Sequence, residues 1–128
     1  MADIYSIMQM LDWKQSADVQ NEGLRLAKEV ESIQAFLQPC NRNFNKNVWD
    51  NCAKVLSERS DEELLSYLVP LMEWLQDMNW PGADRILDRL RRFSDQTSLM
   101  HAYQHCLTCA RAQKNAAWEA NLQMLLKP

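Results

Sequence analysis

Apolar residues recur along this chain at helical spacing, and no stretch alternates with the two-residue period of a strand. Ile4, Ile7, Met8 and Leu11 share one side of a short first helix. Asp12 to Gln15 reads as a turn. Ser16 or Asp18 then caps a second helix with the stripe Val19, Gly23, Leu26, Ala27, Val30 and Ile33. That helix is predicted to fade near Phe36–Leu37, ahead of Pro39. Cys40 to Lys46 reads as a loop. A third long helix is predicted to start near Asn45, with Val48, Trp49, Cys52, Val55 and Leu56 inward.

Ser60 and Glu63 have the spacing of a capping box, which opens a fourth helix. Its stripe is Leu64, Leu68, Leu71, Met72 and Leu75. Pro70 interrupts it by removing one donor and crowding the Ser66 carbonyl, so a kink is predicted, with a break into two helices as the alternative. Asp77 to Pro81 ends it, and Pro81 suits the first position of the next helix. That fifth helix buries Ala83, Ile86, Leu87, Leu90 and Phe93. Ser94 or Asp95 caps a last long segment with two stripes, one of Leu99, Tyr103, Cys106 and Ala110, the other of Trp118, Leu122 and Leu125. Asn115 divides them.

The pattern predicts an all-α domain over residues 1–128, and no linker divides it. Two stretches are alike: Met10-Leu11-Asp12-Trp13 and Asp77-Met78-Asn79-Trp80 each close an apolar helix and open the next. They lie farther apart than one HEAT unit of about 40–47 residues, so a further helix pair must sit between them. Leu64 to Asp77, with its internal proline and turn aspartate, resembles the first helix of a HEAT repeat, and Ala83 to Leu90 resembles the second. The expected architecture is a short HEAT-like right-handed stack of antiparallel helix pairs, about six to seven helices in all.

Two segments carry a closer resemblance: Asn47-Val48-Trp49-Asp50-Asn51-Cys52-Ala53-Lys54-Val55-Leu56, and Trp74-Leu75-Gln76-Asp77-Met78-Asn79-Trp80-Pro81-Gly82-Ala83. They are similar to the hallmark segments of a bacterial HEAT-like family, domain of unknown function 5071. The resemblance implies a helical fold and supplies neither an activity nor catalytic residues. By analogy with other small families of this kind, it suggests an immunity-type inhibitor of a bacterial toxin.

Composition narrows the function. At 47% hydrophobic and 24% charged the chain is ordinary for a globular protein. Its two glycines leave no Gly-rich phosphate loop. The formal net charge of −3 weighs against nucleic acid, whose binders carry a basic excess. Met1 to Met10 lacks a basic segment ahead of an apolar run, and no run is long enough to span a membrane, so a cytoplasmic protein is expected. The four cysteines then read as reduced thiols, with Cys52 in an apolar face.

Three constellations are candidates for chemistry. His101, His105 and Cys109 fall one turn apart on one helix face, a spacing that can grip zinc, but Cys106 turns toward the apolar stripe. A metal-binding protein or metal-dependent enzyme on that face is the first alternative. Arg85, Arg89, Arg91 and Arg92 form a basic run interleaved with Asp84 and Asp88, with Asp88 and Arg92 spaced for an ion pair. The run suits an acidic partner, or a nucleic-acid backbone as the second alternative. Trp13 and Trp80 sit at inter-helix turns among Asp12, Asp77 and Asn79, where tryptophan also serves as a binding hot spot. Trp49 and Trp118 read as core fillers. The reading that joins these features is a non-enzymatic protein-binding module, monomer or weak dimer, with no cofactor and no membrane contact. Its candidate contact residues are Trp13, Asp77, Asn79, Trp80, Arg85 and Arg89.

Overall fold

A computed structural model describes residues 3–41 and 44–126. These are helical, with no strand among the described residues. Helix α1 is Ile4–Met10 and α2 is Ala17–Ala27; a 3-10 turn at Ile33–Phe36 leads to the single turn α3, Gln38–Asn41. A 3-10 turn at Lys46–Val48 runs into α4, Trp49–Ser57. Next come α5 (Asp61–Leu64), α6 (Leu68–Glu73), α7 (Ala83–Arg91), α8 (Gln96–Ala112) and α9 (Ala116–Gln123). Taking α5 and α6 as one interrupted rod and setting α3 aside, the described residues form seven helices.

The starts of these helices follow local chemistry. Asp3, Ser16, Asp95 and Asn115 each accept a first-turn backbone N–H, which satisfies a donor that has no partner inside the helix. At α5 the capping box forms in both directions: the Glu63 N–H donates to Ser60 Oγ over 3.2 Å, and the Ser60 N–H donates to the Glu63 carboxylate over 3.3 Å.

The end of α8 is equally local. Lys114 takes a positive φ of 54°. Asn115 N–H then donates to the Ala110 carbonyl, and Lys114 N–H to that of Arg111. This is the Schellman arrangement, and it folds α9 back onto α8.

Four boundaries differ from the sequence reading. Helix α2 stops at Ala27, well before Phe36, because the Arg59 guanidinium reaches across the fold and takes the carbonyls of Ala27 and Val30 at 2.9 and 2.7 Å. A cation from a distant segment thus satisfies the end of the helix. At Pro70 the alternative holds. A 3-10 turn at Leu65–Tyr67 interrupts the rod, and α6 restarts at Leu68, which places the proline in a first turn where its missing N–H leaves nothing unpaired. Pro81 does not begin α7. Gly82 does, as an N-cap with φ of 88°, so Pro81 stays in the turn. The loop predicted from Cys40 to Lys46 begins inside α3 and crosses 42–43, which lie outside the described residues.

One apolar core runs from Ile7 on α1 to Leu122 on α9. Trp49, Trp74 and Trp118 are buried in it, as are Cys52 and Cys106. Neighbours in sequence pack together, as α1 with α2 and α8 with α9. Helices two apart also pack, α4 on α7 and the interrupted rod on α8. Side-chain ties show that α4 and α7 run the same way. Asp50 near the start of α4 pairs with Arg85 near the start of α7, while the carbonyl of Arg59, just past the end of α4, accepts from Arg89 near the end of α7.

Candidate functional site

The approach of α4 to α7 begins at a glycine. A Cβ placed on Gly82 would lie 2.5 Å from the Cβ of Ala53 and 3.0 Å from the Trp49 carbonyl. No side chain fits there, and the positive φ excludes most residues independently. Above this contact the Trp74 indole N–H donates to the Pro81 carbonyl over 2.9 Å, pinning the turn. Asp77 fixes the other end by accepting the Asn79 N–H at 2.8 Å.

Further along the two helices a cleft of 610 Å³ opens, lined by Lys54, Ser57, Glu58, Arg59, Asp61, Arg85, Arg89 and Arg92. Its arginines are not equivalent. Arg85 reaches Asp50 at 3.0 Å and Arg92 reaches Asp88 at 3.3 Å, both as exposed pairs. Arg59 donates to Glu63 besides the two carbonyls at the end of α2. Arg89 is 7% exposed and held on three sides: Nη2 donates to the Arg59 carbonyl and to Asp61, and the guanidinium lies 6.0 Å from the Phe93 ring. Asp61 also accepts the Ser94 N–H and hydroxyl, and these bonds with that from Arg89 hold its pKa down at about 2. Lys54 is half-buried on the cleft wall and makes no ion pair among the described residues. One cation is therefore left over in a site whose other cations are neutralised.

The structure separates the residues singled out from sequence. Arg85 is exposed on the cleft rim, whereas Arg89 is buried and braces α5 against α7, so it is not part of an exposed stripe. Trp80 stands edge-on to Trp49 with ring centres 5.4 Å apart, and Trp49 stands edge-on to Trp74 at 6.1 Å. Lys46 Nζ lies 5.9 Å from the Trp80 ring centre and 5.7 Å from that of Trp49. Trp13 is 47% exposed and its backbone N–H donates to the Asn47 carbonyl. The segment 46–49 thus lies between Trp13 and Trp80, while Asp77 and Asn79 serve the turn. Lys46, Lys54 and Asp50 were missed. They stand on a short turn and on the outer face of α4, positions that a stripe pattern marks only as polar.

The histidine face sits elsewhere, on α8. His101 and His105 are exposed, Cys106 faces the core, and Cys109 is half-buried. Burial pushes the Cys106 thiol up to about 12. Among the described residues no group of three or more His, Cys, Asp or Glu side chains is placed to hold a metal ion.

The family profile described as Domain of unknown function (DUF5071) matches residues 44–128, and the chain belongs to that family. The match takes in both α4 and α7, and with them the Gly82 contact and the cleft. Neither the curated proteins nor the solved structures contain a match to this chain. No described helix is long and apolar enough to cross a membrane.

Proposed function

We propose that this chain is a cytoplasmic, non-enzymatic protein-binding module, a short HEAT-like stack of helix pairs whose α4–α7 cleft receives an acidic side chain of a partner protein. The stack reading is supported by the parallel packing of helices two apart, the arrangement that lets helix pairs repeat side by side. The binding reading rests above all on one observation: the Lys54 ammonium faces a cleft without a counter-ion, beside an arginine that is already immobilised. A carboxylate entering there meets a rigid donor and a free cation, and little side-chain ordering is left to oppose it. An immunity-type role against a bacterial toxin fits this reading by analogy with other small families.

Fluorescence anisotropy with a labelled octa-glutamate peptide tests the cleft. Binding is expected in low salt, weakened about tenfold by Lys54→Glu and progressively lost as salt rises. Equal binding by wild type and Lys54→Glu overturns the cleft reading. Tighter binding of a duplex DNA probe than of the peptide overturns the choice of partner.

A further inference from the structure

A second, smaller pocket of 200 Å³ lies where α6, α8 and α9 meet, lined by Val69, Glu73, Gln76, His105, Cys106, Cys109, Gln113 and Trp118. Cys109 Sγ lies 3.7 Å from His105 Nε2, within reach of a sulfur hydrogen bond. The pair is one turn apart on α8, so the helix itself fixes the spacing. Glu73 faces His105 from α6. It has no hydrogen bond or ion pair among the described residues, and burial raises its pKa while a charge on His105 opposes that rise. The other groups facing the thiol are the amides of Gln76 and Gln113, the buried Cys106 thiol and the apolar wall of Val69 and Trp118.

We infer that Cys109 and His105 form a thiol modification site that takes low-molecular-weight disulfides of the glutathione class. Three arrangements combine. The thiol opens on a pocket, a base touches it, and a carboxylate stands ready to offset the imidazolium that forms. Cys52 lies in the core, and Cys106, though at the pocket wall, is itself fully buried; burial holds both thiols protonated. In the reaction, His105 Nε2 accepts the Cys109 proton as the sulfur attacks one sulfur of the disulfide. A new S–S bond forms, the old one breaks, and the departing thiolate takes a proton. One protein thiol and one disulfide thus become one mixed disulfide and one free thiol. The adduct would fill the pocket against Trp118 and Gln113, next to the turn that folds α9 onto α8.

Treatment of the intact protein with oxidised glutathione, followed by peptide mass mapping, tests the site. The expected result is a mixed disulfide at Cys109 ahead of Cys52 and Cys106, abolished by Cys109→Ser and formed about tenfold more slowly at pH 7 in His105→Gln. His105 is exposed, so this variant leaves the packing intact. Modification at Cys52 or Cys106 before Cys109, or none at Cys109, overturns the site. Modification at Cys109 with the same rate in His105→Gln shows an ordinary surface thiol and overturns the paired mechanism.

Discussion

Asp61 and Arg89 meet at 2.5 Å, joining the first residue of α5 to the last turn of α7 across 28 positions of sequence. The pair is asymmetric. The arginine side chain is 8% exposed, while the carboxylate is 28% exposed and shared with Ser94. Removing Asp61 therefore leaves a buried guanidinium with no counter-ion, only the Arg59 carbonyl and the Phe93 ring. Asp61→Ala is expected to lower stability by about 2–3 kcal/mol, read as a shift in the urea midpoint. A change below about 0.5 kcal/mol would mean that the pair is no stronger than an ordinary surface contact.

The same carboxylate carries a pH dependence. Its folded-state pKa is depressed from 3.8 to about 2, so its contribution is present above pH 4 and is lost as pH falls from about 4 through 2. With partial exposure, the loss is on the order of 1–2 kcal/mol. In urea titrations between pH 5 and pH 2, wild type is expected to lose stability more steeply than Asp61→Asn. Parallel curves for the two proteins would contradict this assignment.

Arg85 offers a contrast on the same helix. Its pairing with Asp50 is exposed on both sides, so Arg85→Ala is expected to change stability by less than about 0.5 kcal/mol. Arg89→Ala, four residues on, is expected to cost about 3 kcal/mol. Equal effects of the two substitutions, measured by denaturant unfolding, would remove the distinction drawn between the rim and the floor of the cleft.

Gly82 combines two constraints that can be separated by mutation. Gly82→Ala is expected to destabilise by about 2–4 kcal/mol, from the strained φ and from the overlap with Ala53. Adding Ala53→Gly relieves the overlap but not the φ, so the double variant should recover part of the loss and not all of it. No recovery, measured against Ala53→Gly alone, would place the cost in the backbone conformation and the Trp49 carbonyl contact.

At the end of α8, Lys114 occupies a left-handed position that glycine tolerates better. Lys114→Gly is expected to raise the unfolding midpoint, by about 0.5–1 kcal/mol. A lower midpoint would show that the lysine side chain stabilises the turn in some other way.

Local chemistry was readable in the chain, and tertiary chemistry was not. Ser60 marked its helix outright, and Ser16 and Asp95 each stood beside one other candidate, because a cap acts on residues three positions away; Asn115 showed only as a divider, and the structure makes it a cap as well. Trp49, Cys52 and Trp118 declared their burial through periodicity. The premature end of α2 depends on Arg59, a residue some thirty positions distant, and nothing near Ala27 signals it. Gly82 lies in a distinctive segment, but its need for a bare Cα arises only when Ala53 comes opposite. The basic run reads as one set of equivalent arginines because periodicity does not show that α5 supplies a carboxylate to Arg89. The cleft was hidden for the same reason: Lys54 and Arg85 meet only when α4 and α7 pack.

The ties between segments also join helices that pack together. Asn51 holds the carbonyl of Leu11 and the side chain of Gln20, Asn121 holds Leu75, and Trp118 holds Met72. Each bond fastens two segments that are distant in sequence. Such a chain can fray from its two ends like a short stack of tiles, with the α1–α2 pair lifting while α8 and α9 stay seated. Amide exchange would then grade inward from both termini and be slowest where α4 meets α7, at the cleft itself.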